Sequence, residues 1–165
     1  MQEFTHIDQE GRVRMVDVTD KELTLRVAVA QGVVFMNPET FEKIRDQSVK
    51  KGNVLETARI AGIMAAKKTS SLIPMCHPLL ISHIAVDFYP DQEAGSIRIE
   101  ASVRITGRTG VEMEALTAVS VAALTIYDMC KSYDRNMIIS DILLLEKSGG
   151  KSGNFVRTLE SESLT

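Results

Sequence analysis

Residues 97–131 read IRIEASVRITGRTGVEMEALTAVSVAALTIYDMCK, and the change of pattern within this stretch decides the fold. Ile97, Ile99, Ala101, Val103 and Ile105 alternate with Arg98, Glu100, Ser102 and Arg104. Successive side chains of an extended chain point to opposite faces, so this period of two describes a strand with one apolar and one solvated face. From Thr109 the alternation stops and most residues are apolar or small, which predicts a long helix ending near Lys131. Thr109 and Glu112 have the spacing of a capping box, hydroxyl to the third amide and carboxylate back to the cap amide.

Before this stretch, Asp91–Gly95 has turn composition and Ile81–Tyr89 reads as a strand. Ser70–Pro78 should be irregular, because Pro74 and Pro78 oppose helix continuation. Asn53 can cap a helix running to about Lys68. Its Ala58, Ala61, Gly62, Ala65 and Ala66 leave one side small enough for another backbone to come close. Asn37-Pro38 starts a short, mostly polar helix, Glu39 to Asp46. Leu23, Leu25, Val27 and Val29 alternate with Thr24, Arg26 and Ala28, a half-buried strand that Gly32 should bulge or break before Val33 to Met36.

After the long helix comes a last strand, Met137 to Leu145. Residues 1–20 read as a leading arm with an extended piece from Val13 to Val18. Residues 148–165 read as a Gly/Ser/Lys loop and tail. The order is strand, helix, strand, strand, helix, strand once the one extra short helix is set aside. That is the α+β, ferredoxin-like βαββαβ pattern, with an antiparallel sheet and both helices on one face, in a single domain over residues 1–165. Such a fold does not assign a function by itself.

Composition narrows the function classes. Hydrophobic residues make up 44% and charged residues 25%, as in soluble globular proteins. A net charge of −3 gives no broad attraction to nucleic acid or anionic membrane, so any anion site must be a local group of Lys and Arg. Cys76 and Cys130 are too few for a disulfide scaffold, and with no secretory signal the expected compartment is the cytoplasm. The apolar run Ala118–Met129 is too short to span a bilayer and is interrupted by Ser120, Thr125 and Asp128.

The long helix sets two further constraints. Between Leu116 and Cys130 only Thr117, Ser120, Thr125 and Asp128 are polar. A helix apolar all round must be covered all round, and the sheet covers one face only. The second helix and another chain have to cover the rest. Asp128 must then be paired, shift its pKa, or stand in a cleft. Lys131, one turn on and within about 60° of it, makes either an ordinary helix ion pair or an acid–base pair in a pocket. Glu114 lies about 40° from Asp128 on the wheel but ~21 Å away along the axis. The two can serve one site only if they come from different chains, with the long helices antiparallel across a two-fold axis.

Other segments carry weaker signals. Met75-Cys76-His77-Pro78 sets reactive side chains on a rigid turn, although adjacent residues in extended chain diverge, which argues against a Cys76–His77 dyad. No zinc spacing exists among the cysteines and histidines. Lys147-Ser148-Gly149-Gly150-Lys151-Ser152-Gly153 fails as a Walker A loop, because Leu145 stands where glycine is required. It could still present amides and charge to phosphate, or be a flexible tail. Lys50 and Lys51 precede a helix amino end, where anions are favoured, or are simply solvated. Arg59 sits among small residues and is not ordinary surface.

Five segments together resemble the cyclic pyranopterin monophosphate synthase (MoaC) family of molybdenum cofactor biosynthesis. They are Met15-Val16-Asp17-Val18, TARIAGI at 57–63, LIPMCHPL at 72–79, TGRTGVEMEALTAVSVAALTIYDMCK at 106–131, and KSGGKSG at 147–153. The likeness covers about residues 5 to 155, and Ser132–Asn136 is one of its looser parts. It implies a lyase that converts (8S)-3′,8-cyclo-7,8-dihydroguanosine 5′-triphosphate to cyclic pyranopterin monophosphate with release of diphosphate. It implies Asp128, Lys131, Lys51 and His77 as catalytic residues. Met75, Cys76, His77, Glu112, Met113, Glu114, Lys147 and Lys151 would bind substrate. No resident metal or cofactor is implied, beyond magnesium that can accompany the triphosphate. The subunits should form a homohexamer, a trimer of dimers with sites at a dimer interface.

Two rival readings remain: a non-catalytic ferredoxin-like module that binds a small ligand and regulates a partner, and a nucleotide hydrolase, which the failed Walker A pattern weakens. The long helix gives the first test. Sedimentation at micromolar concentration should show an oligomer and no monomer; a monomer would remove the argument for a second chain.

Overall fold

The computed structural model describes residues 10–158. The first strand, β1 (Thr24–Phe35), is the spine of the sheet. Helix α1 (Pro38–Arg45) follows, capped by the Asn37 side chain, which accepts from the Thr40 amide at 2.7 Å. Helix α2 (Val54–Lys67) is capped in the same way by Asn53, which accepts from the Glu56 amide at 3.1 Å. Strands β2 (His83–Asp91) and β3 (Ser96–Gly107) form a hairpin over the expected turn. Helix α4 (Glu112–Cys130) leads into β4 (Ile138–Ser148). The sheet has the order β2-β3-β1-β4, extended by a short β5 (Phe155–Val156), with every pairing antiparallel. This agrees with the α+β, ferredoxin-like expectation.

Several expectations need correction. Of the two outcomes expected at Gly32 the bulge occurs and the break does not: the strand runs on, with a register shift against β4 between Gln31 and Val33. A Cβ at Gly32 would make ordinary contacts with Ile142, at 3.4 Å, and Val119, at 3.7 Å. One extra short helix was expected, and there are two. A single turn, α3 (Thr69–Leu72), forms just after α2. Thr69 bonds back to the carbonyls of Ala65 and Ala66, and the turn ends at an extended Ile73, where Pro74 forbids more. In the segment read as loop and tail, Phe155 and Val156 pair with Lys147 and Glu146. The expected extended piece in the arm is one bridge at Val13, and residues 14–18 are irregular. The arm's first nine residues lie outside the described part.

Helices α2 and α4 lie together on one face of the sheet. Ala28, Ala30 and Val34 of β1 meet Ala115, Ala118, Val119, Ala122 and Ile126 of α4 in a single buried core. The α4 helix, at 19 residues, is long and apolar enough to cross a membrane, so its length does not exclude that role as the shorter apolar run had suggested. Its position does the work instead: most of it is the core helix of the layer. The small face of α2 explains the closeness of the pair. A Cβ on Gly62 would stand 2.9 Å from the Ala118 carbonyl oxygen and 3.4 Å from the Ala122 Cβ. Arg59 closes the other side of α2, pairing with Glu56 and Asp87 at 3.1 Å each, donating to the Val86 carbonyl, and lying over Phe88. It is a strut between α2 and β2.

The contact at Gly62 can be tested. Replacing glycine inside a helix gains up to about 1 kcal/mol of propensity, but a branched side chain here must push two backbones apart. Steric overlap should win: Gly62→Val is expected to lose about 2 kcal/mol, read as a lower urea midpoint at unchanged slope.

Candidate active site

The charged residues of α4 fall into two groups at its two ends. At the carboxyl end, Lys131 Nζ donates to Asp128 Oδ1 at 2.7 Å. Lys51 reaches across from the turn before α2 and donates to the Asp128 carbonyl oxygen at 2.7 Å, with its ammonium 3.5 Å from Oδ2. Lys51 thus satisfies one of the carbonyls that a helix leaves free at its end. The sequence left this lysine either at the amino end of α2 or solvated, while the resemblance made it catalytic; it lies at the carboxyl end of α4 beside Asp128. All three side chains are about half exposed.

At the amino end, a cavity of about 300 Å³ is lined by Met75, Cys76 and His77 with Glu112, Met113 and Glu114, and closed by Val16, Val18 and Lys21 of the arm. A second cavity, of about 430 Å³, shares Lys21 and adds Arg26, Gly150 and Lys151. The capping box expected here does not form. The helix starts at Glu112 behind Val111, with no side-chain cap. The Glu112 carboxylate turns instead to Lys147 Nζ, 2.9 Å away. A charge-assisted bond to an ammonium outweighs one to a neutral amide.

The loop after β4 is built into the molecule. A Cβ on Gly149 would collide with the Leu25 carbonyl, and one on Gly150 with the Arg26 guanidinium. Both glycines have positive φ, 93° and 80°, which side chains rarely adopt. Arg26 is itself buried and donates to the carbonyls of Gly107 and Arg108 at 3.0 and 3.1 Å. Lys151 therefore faces the second cavity, and Lys147 faces the first group through Glu112.

Within one chain the structure brings Lys51, Asp128 and Lys131 together, and separately brings Met75–His77, Glu112–Glu114 and Lys147 together. His77 does not join the Asp128 group. The two sets lie toward opposite ends of α4, ~21 Å apart along its axis from Glu114 to Asp128.

The MoaC family profile matches residues 15–150. The chain belongs to the MoaC family. It is 65% identical over 156 residues to the cyclic pyranopterin monophosphate synthase of Desulforapulum autotrophicum, covering 94% of this chain and 96% of that protein. The synthase of the same name from Desulfitobacterium hafniense is 60% identical over 163 residues, 99% of each chain. That from Roseiflexus sp. is 61% identical over 156 residues, 94% of this chain and 99% of the relative.

The two groups of this MoaC chain differ in proton affinity. The Lys131 bond, with Lys51 nearby, holds the Asp128 carboxyl below its ordinary range, and Asp128 in turn raises Lys131. This end is an ion pair that keeps its charges at neutral pH. Glu114 is the opposite case. Burial, with Glu112 adding a like charge, pushes its carboxyl up to about 6. A carboxyl near 6 can give or take a proton close to neutrality. Burial also raises both thiols, Cys130 to about 11, so neither is a ready thiolate. Among the described residues no His, Cys, Asp and Glu group of three or more could hold a metal ion.

Sequence reading missed Val16, Val18, Lys21, Arg26, Thr109 and Gly110 as cavity walls. Arg26 offered one faint signal, a long cation within an otherwise modest strand face; Val16, Val18, Thr109 and Gly110 lay inside segments that carry the family resemblance, and Lys21 offered none, because its place depends on how the arm folds back.

Two predictions follow from this geometry. A Cβ on Gly110 would fall on the Glu112 carboxylate, so Gly110→Ala should dislodge Glu112 from Lys147; in a crystal structure of the variant the 2.9 Å pair should be gone. For Glu114, the folded state keeps a proton that the unfolded chain, at 4.5, releases. Stability should therefore fall as pH rises from about 4.5 to about 6, by about 2 kcal/mol in all. Urea midpoints for Glu114→Gln should lack that fall.

Proposed function

We propose that the two groups are halves of one active site that carries out the cyclic pyranopterin monophosphate synthase reaction. The substrate is (8S)-3′,8-cyclo-7,8-dihydroguanosine 5′-triphosphate. The enzyme, a lyase, rearranges its ring system to a pyranopterin, closes a cyclic phosphate and releases diphosphate, a step of molybdenum cofactor biosynthesis. One observation carries this reading. The family match at residues 15–150 contains both ends of α4 together with Lys51, Met75–His77 and Lys147, and stops one residue short of Lys151.

The chemistry fits these side chains. Opening and reclosing rings needs repeated proton transfers, and Asp128 with Lys131 and Lys51 supplies a carboxylate beside two ammonium groups. The buried Glu114 supplies a group of intermediate proton affinity at the other half, and His77 lines the same cavity. Met75, Cys76 and Met113 give the ring system an apolar wall, while Glu112 and Glu114 accept hydrogen bonds from its amino and amide donors. When the cyclic phosphate closes, an oxygen attacks the α-phosphorus and the bond to the β-phosphate breaks. The diphosphate leaves with the electron pair, and Lys147 and Lys151 neutralise its growing charge. Magnesium, where present, travels with the triphosphate rather than residing in the protein.

One chain cannot assemble this site, because α4 holds Glu114 and Asp128 ~21 Å apart. A second copy, with its α4 antiparallel to the first, brings the partner subunit's Glu112 and Glu114 to Asp128. The helix layer supports such packing. Leu124 on α4 and Ile60 and Met64 on α2 are each at least half exposed, and Leu116 and Val121 are only partly covered. Three such dimers make the hexamer. Cys76 and Cys130 are free thiols, in keeping with a cytoplasmic enzyme.

Asp128→Asn and Lys131→Ala should fold and lose turnover, measured as diphosphate released from the cyclised triphosphate; release at the normal rate would remove them from the site. Lys51→Ala should cut turnover or weaken handling of the phosphate end. Co-expressing Asp128→Asn with Glu114→Gln tests the shared site. Each variant alone is inactive, but mixed dimers regain one intact site, so about a quarter of the activity should return. No recovery would place both halves in one chain.

A further inference from the structure

Lys51 lies on a tight turn, and a long lysine on a turn is a poorly fixed group unless the turn itself is held. The turn runs from Val49 to Gly52, closed by the Gly52 amide donating to the Val49 carbonyl at 3.0 Å. Val49 is buried and anchors one side. The other side meets Tyr133, whose hydroxyl oxygen accepts from the Lys50 amide at 3.3 Å. We propose that Tyr133 is a positioning residue, whose hydroxyl sets the Lys51 turn against the Asp128 end of α4. The proposal rests on Lys51 acting in the site described above.

Tyr133 is well placed for this. Its own amide donates at 2.8 Å to the carbonyl of Cys130, a fully buried residue in the last turn of α4. Its ring packs against the core, and the Lys43 ammonium lies 5.3 Å from the ring centre. The next residue, Asp134, is buried too; its carboxylate accepts from the amides of Asn37 and Asn136 at 2.8 and 2.9 Å, so the chain around Tyr133 is pinned on both sides. The hydroxyl is therefore referenced to the helix that carries Asp128 and Lys131. It transmits that reference to the Lys50 backbone, one residue from Lys51. Its bond goes to the exposed Lys50 backbone, whereas the ring packs against the core. A group that acts only through alignment should matter to turnover more than to folding or to substrate capture.

The test is Tyr133→Phe, which keeps the ring and removes the hydroxyl. Diphosphate release should show kcat lowered about three- to tenfold, with KM within about twofold and the melting midpoint unchanged. Site-resolved hydrogen exchange should show the Lys50 amide exchanging faster in the variant, with the Cys130 end of α4 as protected as before. Wild-type kcat, or unaltered exchange at Lys50, overturns the proposal. So does a loss of kcat that tracks a falling melting midpoint, because the side chain would then merely support the fold. Lys51→Ala, measured in parallel, separates the two levels. An inactive Lys51→Ala beside a fully active Tyr133→Phe refutes the positioning role alone, whereas a fully active Lys51→Ala removes Lys51 from the site and the positioning role with it.

Discussion

A helix of 19 residues is a rigid rod, and α4 imposes its length on everything chemical in this protein. Its middle is buried beneath α2 and above β1, so the rod cannot bend to bring its ends together. Polar residues with chemical potential are confined to those ends, where backbone amides and carbonyls are free and solvent or partners can reach. The amino end gathers carboxylates, Glu112 and Glu114, as the helix dipole favours. At the carboxyl end Lys51 and Lys131 converge, again with the dipole. Asp128 runs against the dipole at the carboxyl end, where Lys51 and Lys131 offset its charge, as Lys147 meets Glu112 at the amino end.

The sequence made most of the frame legible through local patterns, whereas the single turn α3 and the two-residue β5 are too short to show one. The alternation at 97–105 became β3, and Asn37 and Asn53 capped the helices they were expected to cap. The small face of α2 also foretold its close contact with α4. Failures came where a residue had two partners to choose from. Thr109 and Glu112 have capping-box spacing, but spacing cannot reveal that Lys147, far along the chain, offers Glu112 a charged bond. At Gly32 the alternation left bulge and break open, and the register shift against β4 is the bulge.

The site was legible in parts. Asp128 with Lys131 followed from one turn of helix, and the separation of Glu114 from Asp128 followed from the rise per residue. Lys51 and the Met75–His77 turn carried only weak local signals and took their site roles from family likeness, since nothing local marks a lysine on a turn as bound for the far end of another helix. Lys21, Val16 and Val18 depended on the path of an irregular arm, for which no periodicity exists. Arg108, donating to the Thr19 carbonyl at 2.9 Å, is one of the contacts that fix that path.

The glycine pair after β4 has a consequence for how its lysines are indexed. Gly149 and Gly150 lie where any Cβ would strike Leu25 or Arg26, so they act as a detent between two sheet strands. Sliding the segment by one position in either direction would drive Ser148 or Lys151 into that notch. The spacing of Lys147 and Lys151 is thus tied to a mechanical stop in β1, and an insertion or deletion between them would misaddress both charges while leaving the sheet intact.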